Sequence, residues 1–217
     1  MSFENYHPKL KPAIKYLLDN KIGFAQILNE YDRLFRMILA LNPRPKLIVE
    51  IGSYRGSWLF MTAHAIEKSC RLIGIDLPDH LQFDMRNPLV LGHVVKELER
   101  RKMDIHILKS DSQKLHTVKN LIPIMNELPI DILHIDGNHS YEACMMDYNL
   151  YSPLVRMGGM ILFHDVSESD PQNLDFGSPK AWKEISSSFK SDHVHEIIID
   201  PALKPKGVGG IGVIVKP

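Results

Sequence analysis

The chain has 217 residues, of which 44% are hydrophobic and 24% charged, and its formal net charge at pH 7 is zero. This is the size of one α/β domain, which can bury roughly 70% of the surface of its unfolded chain. Zero net charge disfavours nucleic acid as the main partner, because phosphate binding relies on a basic surface. The sequence shows no signal core and no membrane-spanning run, and two cysteines are too few for a disulfide framework. We therefore expect a cytoplasmic protein that has no membrane partner.

The first predicted elements are two amphipathic helices within residues 9–42, which the sequence Asn42-Pro43-Arg44-Pro45 ends. We assign residues 1–45 to an N-terminal helical cap and residues 46–217 to the main domain. An apolar helical pair outside a sheet domain needs a surface to cover it. The cap therefore either joins two copies in a homo-oligomer or folds back on its own sheet.

From residue 46 onward, short apolar runs alternate with helical patterns. The predicted strands are 47–51, 71–75, 105–109, 131–135, 159–163, 194–199 and 211–215. The predicted helices are 57–69, 87–102, 114–127, 140–156 and 179–190. This alternation predicts an α/β fold, a doubly wound and mostly parallel seven-stranded sheet. The last two strands are joined by too few residues for a crossover helix, so the final strand should be antiparallel. Residues 78–93 form an unusually long connection, either a functional loop over the acceptor or a surface excursion.

A glycine-containing turn follows the first predicted strand. Gly52 and Gly56 permit a tight turn, and free N–H groups near Ser53 and Ser57 suit a polar or anionic ligand. Glu50 would repel a pyrophosphate but can receive a cationic group. The pattern Glu-x-Gly-x-x-x-Gly-Ser therefore differs from the Gly-x-Gly-x-x-Gly of dinucleotide binding, and an ordinary strand–helix turn stays an alternative.

Polar residues also follow the second and third predicted strands, at the edge of the sheet where doubly wound folds bind ligands. Asp76 follows the second strand and can accept both hydroxyls of a ribose, or else it forms a turn or cap. Asp111, Ser112 and Gln113 follow the third strand and can hydrogen-bond an adenine edge. The alternative for this segment is a helix cap.

Carboxylates and histidines follow the fourth and fifth strands. Asp136 and Asp165, with water and with His164 as a further ligand, can hold a hard divalent cation such as Mg²⁺. Asp136 can instead form a turn, and His139 can cap the helix that begins near residue 140. His134 lies inside an apolar strand, which favours a core histidine over a ligand.

The order of these motifs resembles that of small S-adenosylmethionine (SAM) dependent O-methyltransferases. The segments that carry the resemblance are VEIGSYRGSW, GIDLPD, SDSQ, DILHIDGNHSYE, PLVRMGGMILFHDV and GGIGVIV. The chain resembles the metal-dependent class I branch that includes catechol O-methyltransferase, and within it the antibiotic-tailoring macrocin O-methyltransferases and the cephalosporin hydroxylase-like proteins. The resemblance covers roughly residues 45–217.

The resemblance implies transfer of a methyl group from SAM to a hydroxyl of a small molecule or sugar, in secondary metabolism. It implies the following cofactor and metal residues: Glu50 and the turn from Gly52 to Ser57 for the methionine part, Asp76 for the ribose, Asp111, Ser112 and Gln113 for the adenine, and Asp136 and Asp165 for Mg²⁺ or another divalent metal. Asp136 also belongs to the cofactor pocket. His139 falls where the family places its catalytic base. Val166 stands where catechol enzymes have Asn, so the third metal ligand is open, and His164 is one option.

Three other functions fit parts of this pattern. A catalytically inactive SAM-binding scaffold is compatible with Val166. A non-haem iron oxygenase is compatible with His134-x-Asp136 and a distant histidine, although such sites usually lie on a β-barrel. A dinucleotide-dependent oxidoreductase is disfavoured by Glu50 and by the missing third glycine of the turn.

Overall fold

The computed structural model describes residues 5–24, 26–78, 90–167, 177–198 and 209–217. The strands are β1 (Leu47–Ile51), β2 (Arg71–Asp76), β3 (Asp104–Lys109), β4 (Ile130–Ile135), β5 (Val155–His164), β6 (Val194–Ile197) and β7 (Ile211–Val215). The helices are α1 (Lys11–Asp19), α2 (Leu28–Ala40), α3 (Ser57–Thr62), α4 (Val90–Arg100), α5 (Leu115–Met125), α6 (Tyr141–Tyr151) and α7 (Ser178–Ser187). Within these ranges, no helix has both the length and the apolar character that crossing a bilayer requires.

The strands form one sheet in the order β3-β2-β1-β4-β5-β7-β6. Strands β1 to β5 pair in parallel, while β7 is antiparallel to both β5 and β6. This confirms the predicted doubly wound sheet and its antiparallel last strand. After β1 the chain builds one edge through β2 and β3, then returns to place β4 on the other side of β1. The carboxyl ends of β1 and β4 are therefore the topological switch point, where such folds bind their ligands.

Two hydrophobic clusters cover the two faces of the sheet, because alternate strand residues point to opposite sides. Within β1, Ile48 belongs to one cluster, while Leu47, Val49 and Ile51 belong to the other. The burial of both faces explains why the strands are nearly continuous apolar runs rather than alternating polar and apolar patterns.

The two N-terminal helices fold back on the first of these faces. The side chains of Ile14, Leu17, Leu34 and Phe35 are fully buried within this single chain, in the same cluster as Trp58. The predicted cap, residues 1–45, therefore shares a core with the rest of the chain. Fold-back is the alternative that the structure shows, and a homo-oligomer stays a prediction.

Element boundaries differ from the predicted ones in two informative places. β5 already begins at Val155, whereas the sequence predicts a strand over 159–163, because Val155 pairs with Ile130 before a register shift. The predicted helix 57–69 ends at Thr62 and gives way to turns. The predicted functional loop, residues 78–93, falls mostly on residues 79–89, which lie outside the described residues.

Candidate functional site

A cavity of about 730 Å³ opens at the carboxyl ends of the central strands. Its volume lies within the range of roughly 300–1,000 Å³ that is usual for small-molecule and cofactor sites. The predicted site residues that line it are Glu50, Gly52, Ser53, Ser57, Asp76, Asp111, Ser112, Gln113, Asp136, His139, His164 and Asp165. Gly56 is not among the lining residues and instead forms the N-cap of α3 with a φ of +74°. The sheet thus brings together residues that are spread over more than half of the sequence.

Gly52 sets the distance between the two strand ends at the switch point. Its φ is +87°, and a Cβ at this position would lie 2.0 Å from the carbonyl oxygen of Asp136. The N–H of Gly52 donates to the carbonyl of Ile75 at 2.8 Å, and the N–H of Asp136 donates to that of Ile51 at 2.9 Å. Only glycine combines this backbone conformation with so close an approach. The turn therefore holds the β1 and β4 ends, and their carboxylates, side by side.

The Glu50 carboxyl lies at the base of the cavity and is almost completely buried. Its Oε1 lies 3.3 Å from Nδ1 of His134, and its Oε2 has no hydrogen-bond partner within the described chain. Burial, with the nearby charges of Asp136 and Asp76, raises the pKa of Glu50 well above its usual value. An unpartnered buried oxygen of this kind is costly, so a ligand that supplies a cation or a donor would satisfy it.

His134 lies in the core, as its place in an apolar strand predicts. Its ring stacks on Trp58 with a centroid distance of 4.3 Å, and burial lowers its pKa to about 4. His134 is not among the residues that line the cavity, and its buried, stacked ring is a packing group.

Asp76 ends β2 with both carboxylate oxygens already engaged by the backbone. The N–H groups of Tyr54 and Leu77 donate to Oδ2 and Oδ1 at 2.5 and 2.7 Å. A carboxylate offers about four acceptor positions, so further donors such as ribose hydroxyls can still be accepted. The same contacts hold the turn after β1 against the end of β2.

The predicted adenine segment forms the next part of the cavity wall. The Asp111 side chain accepts from the N–H of Gln113 at 3.0 Å, and the Ser112 carbonyl accepts from the Tyr151 hydroxyl at 2.8 Å. Ser110 Oγ lies 2.6 Å from the hydroxyl of Thr117 in α5. The turn is therefore fixed in place where it lines the cavity, and its side chains do not cap α5, whose N-cap is Lys114 without a side-chain hydrogen bond.

Two acids and two histidines converge on the other side of the cavity. Asp136 Oδ1 lies 3.3 Å from His139 Nε2 and 3.2 Å from His164 Nδ1. Asp165 Oδ2 lies 3.5 Å from His139 Nδ1 and 3.3 Å from His164 Nδ1. Each imidazole thus contacts both carboxylates.

The charges in this cluster shift the pKa values of Asp136, His139 and His164 in the directions that favour their ionised forms. Burial alone would raise the pKa of Asp136, but the charge of His164 and hydrogen bonds from both histidines lower it far below its usual value. Burial alone would lower the pKa of His139 and of His164, but Asp136 and Asp165 raise both, that of His164 well above its ordinary range. Such mutual shifts in a cleft are typical of functional sites.

The backbone of His139 is held by the start of α7. The N–H groups of Gly177 and Ser178 donate to the His139 carbonyl at 2.8 and 3.1 Å. A Cβ on Gly177 would lie 2.2 Å from the backbone nitrogen of Tyr141, so only glycine permits this approach. Ser140 caps α6 by accepting from the N–H of Ala143. His139 is therefore fixed between two helix starts.

Asp165 has a left-handed backbone conformation, with a φ of +58°. This is uncommon for a residue other than glycine, although aspartate adopts it more readily than most. The following N–H groups, of Val166 and Ser167, donate to the carbonyls of Gly210 and Gly209. The conformation is thus held by neighbouring backbone, and such strain is a known feature of functional sites.

The donor set fits a divalent cation. Ligand atoms of Asp136, His139 and Asp165 all lie within 4.8 Å of one another, and two carboxylates with one imidazole suit Mg²⁺ or Mn²⁺. The sequence predicts His164 as the histidine ligand and His139 as the base, and both stay predictions. His164 directs Nδ1 to both carboxylates, while its Nε2 is buried and has no partner within the described residues.

Gln26 lines the cavity, although no motif in the sequence marks it. It precedes α2, and its Nε2 donates to Asp136 Oδ2 at 3.1 Å across 110 positions of the chain. The one signal in the sequence is that Gln26 is polar within the apolar run Gly23-Phe-Ala-Gln-Ile-Leu28. A polar residue at such a place is compatible with any partly buried segment.

In protein stripped of metal with EDTA, His164 and His134 are expected to affect stability with opposite pH dependence. The raised pKa of His164 gives stability that is fully present below 6.5 and is lost as the pH rises through that raised value. The pKa of His134, lowered to about 4, gives stability present above 6.5 and lost as the pH falls toward 4. Urea unfolding of the wild type, His164→Gln and His134→Gln between about pH 5 and pH 8 would show this. Parallel pH profiles for the two variants would contradict it.

A family model described as a methyltransferase domain matches residues 49–166, more than half of the chain. Protein R132 of Acanthamoeba polyphaga mimivirus is 33% identical over 159 residues, which are 71% of this chain and 66% of that protein. Protein y4gI of Sinorhizobium fredii is 24% identical over 155 residues, which are 70% of this chain and 16% of that protein. The chain thus spans 66% of the first relative's length and a small part of the second. Both relatives are uncharacterised.

Solved structures show the same fold at low identity. The O-methyltransferase TomG of Streptomyces achromogenes, involved in tomaymycin synthesis and solved with SAM, is 15% identical with a TM-score of 0.60, and 98% of this chain and 92% of that chain are covered. An O-methyltransferase of Bacillus cereus, solved with S-adenosylhomocysteine, is 14% identical with a TM-score of 0.58, and 97% and 91% are covered. The chain thus belongs to this methyltransferase domain family and has the class I fold of the SAM-dependent methyltransferases.

Proposed function

We propose that the protein transfers the methyl group of SAM to a hydroxyl of a small molecule or sugar, with a divalent cation and with His139 as the base. The observation that carries this proposal is the cluster of Asp136, His139, His164 and Asp165, which borders the same cavity as the glycine turn after β1. The cavity thus joins a cofactor side to a side that can bind and deprotonate a hydroxyl.

On the cofactor side, the described groups match the parts of SAM. The unpartnered Oε2 of Glu50 receives the cationic amino group of the methionine part. Asp76 accepts the ribose hydroxyls, and Asp111, Ser112 and Gln113 border the adenine. SAM supplies a methyl group on a positively charged sulfur, which already is a strong electrophile.

On the acceptor side, Asp136 and Asp165 hold the cation, which supplies Lewis-acid activation of the hydroxyl. His139 takes the hydroxyl proton. The negative charge of the two aspartates raises the pKa of His139, and a bound cation offsets that charge. The imidazole is then able to accept a proton near neutral pH.

His139 suits the role of base better than His164 because it can exchange protons with solvent. Its side chain is 32% exposed, whereas that of His164 is 6% exposed. His164 contacts both carboxylates from the buried side and so orients them. This division of roles gives each of the two histidines a separate task.

The proposal is tested by calorimetric titration of the protein with S-adenosylhomocysteine, with Mg²⁺ and after EDTA treatment. We expect dissociation constants of about micromolar order for the wild type. Replacement Asp76→Ala removes charged hydrogen bonds worth about 1.5–3 kcal/mol each, so the affinity should fall at least about tenfold. Asp192→Ala, an exposed acid in the turn before β6, is the matched control and should bind like the wild type.

Each outcome separates the alternatives. Equal affinity of Asp76→Ala and wild type would refute the ribose assignment. Binding followed by no transfer to any member of a panel of phenols, catechols and sugars, with or without Mg²⁺, would favour the inactive scaffold. The iron oxygenase has no support here, because the sheet is doubly wound and not a β-barrel.

A further inference from the structure

Asp136, His139, His164 and Asp165 form the acid–histidine cluster of the cavity. Among the hydrogen bonds of the described residues, the one that joins this cluster to the segment before α2 is made by Gln26. Only 5% of Gln26 is exposed, and its Nε2 donates to Asp136 Oδ2 at 3.1 Å. The opposite oxygen of that carboxylate, Oδ1, faces His139 and His164. The orientation of the amide follows from this contact, because the amide oxygen would be repelled by a carboxylate.

The position of Gln26 is fixed by the first turn of α2. The buried Glu30 carboxylate accepts from the N–H of Gly210 at 2.8 Å. Gly210 and Gly209 in turn accept from the N–H groups of Val166 and Ser167, directly after Asp165. The segment that carries Gln26 and the loop that carries Asp165 are therefore joined through hydrogen bonds to the same pair of glycines.

The other end of the amide has no comparable partner. Gln26 Oε1 is buried and makes no hydrogen bond within the described chain, although Gln26 lines the cavity. A buried acceptor without a donor costs about 1–3 kcal/mol. A hydroxyl or water that enters the cavity would satisfy it.

We propose that Gln26 is a positioning residue: its amide N–H orients the Asp136 carboxylate for a divalent cation, and its Oε1 accepts a hydrogen bond from a hydroxyl or water bound there. This inference rests on the proposed function, whose metal site it deepens. Groups that orient ligands from behind are worth roughly 10–100-fold in metal affinity.

The experiment uses Mn²⁺ as the probe and the full chain saturated with S-adenosylhomocysteine. The variants are Gln26→Met, which keeps the length of the side chain without its polar atoms, and Asn29→Met, which alters an exposed amide in the first turn of α2. Free Mn²⁺ is measured by electron paramagnetic resonance, and S-adenosylhomocysteine affinity and urea unfolding are measured on the same preparations. We expect Gln26→Met to weaken Mn²⁺ binding about tenfold or more, with S-adenosylhomocysteine affinity within about twofold of the wild type.

The outcomes distinguish this inference from the proposed function. Wild-type Mn²⁺ affinity in Gln26→Met would overturn the inference and leave the proposed function standing. No Mn²⁺ binding by the wild type, with S-adenosylhomocysteine bound, would overturn both the inference and the metal assignment. No S-adenosylhomocysteine binding would overturn the proposed function itself. An equal loss of Mn²⁺ affinity in Asn29→Met and Gln26→Met would mean that any change near the start of α2 weakens Mn²⁺ binding. That result would also overturn the inference.

Discussion

Replacement of His139 by glutamine is expected to lower the rate of methyl transfer by about 10²–10⁴-fold, the usual contribution of a general base. Glutamine keeps a similar size and polarity but cannot accept the proton of a hydroxyl. The affinity for S-adenosylhomocysteine should stay within about twofold of the wild type, because His139 lies on the acid–histidine side of the cavity. The measurement is initial-rate kinetics with the acceptor that the panel identifies, beside calorimetric titration of the cofactor product.

A pH profile separates loss of a base from loss of structure. In the wild type, the acidic limb of kcat/KM reports deprotonation of the essential base in the free enzyme. That limb should disappear in His139→Gln. His195→Gln changes an exposed histidine of the edge strand β6 and should keep both rate and profile. Undiminished turnover in His139→Gln would remove His139 from the mechanism and leave the role of base to another group.

The fold and most of the cavity lining were predictable because both follow from local patterns. Buried parallel strands are apolar runs, so a polar residue directly after such a run marks the sheet edge. Asp76 and Asp136 stand directly after such runs, Asp165 follows one residue later, and Glu50 is the last but one residue of β1. The structure places all four around one cavity. Their individual roles remain predictions, since position at the sheet edge does not decide which ligand each residue contacts.

What the sequence did not reveal depends on tertiary packing. Gln26 reaches Asp136 because α2 packs against the core and Glu30 binds Gly210, and neither contact leaves a local pattern. Which histidine stands near both carboxylates depends on distances among side chains, which the spacing of residues in the sequence does not give. The sequence did not reveal the early start of β5 because Gly158 lies within the strand, and glycine is typical of turns. Its φ of +69° is indeed a turn-like conformation.

Gly52 affects both the stability of the fold and the geometry of the cavity. Gly52→Ala is expected to lower the free energy of unfolding by about 3 kcal/mol or more. A left-handed conformation costs an alanine about 1–2 kcal/mol, and the added Cβ would lie 2.0 Å from the backbone oxygen of Asp136, which no rotamer change relieves. Gly92→Ala, at a helical position of α4 where a Cβ meets nothing within 4 Å, is the matched control and should gain about 0.5–1 kcal/mol.

Urea unfolding of the two variants and the wild type measures this difference. Any folded Gly52→Ala protein should also bind S-adenosylhomocysteine less well, because the clash separates the end of β1, which carries Glu50, from Asp136 after β4. An unfolding midpoint for Gly52→Ala equal to that of the wild type would mean that the β1 and β4 ends can move apart freely. In that case the side-by-side carboxylates would not be fixed by the backbone, and the cavity would have to be assembled by its ligands.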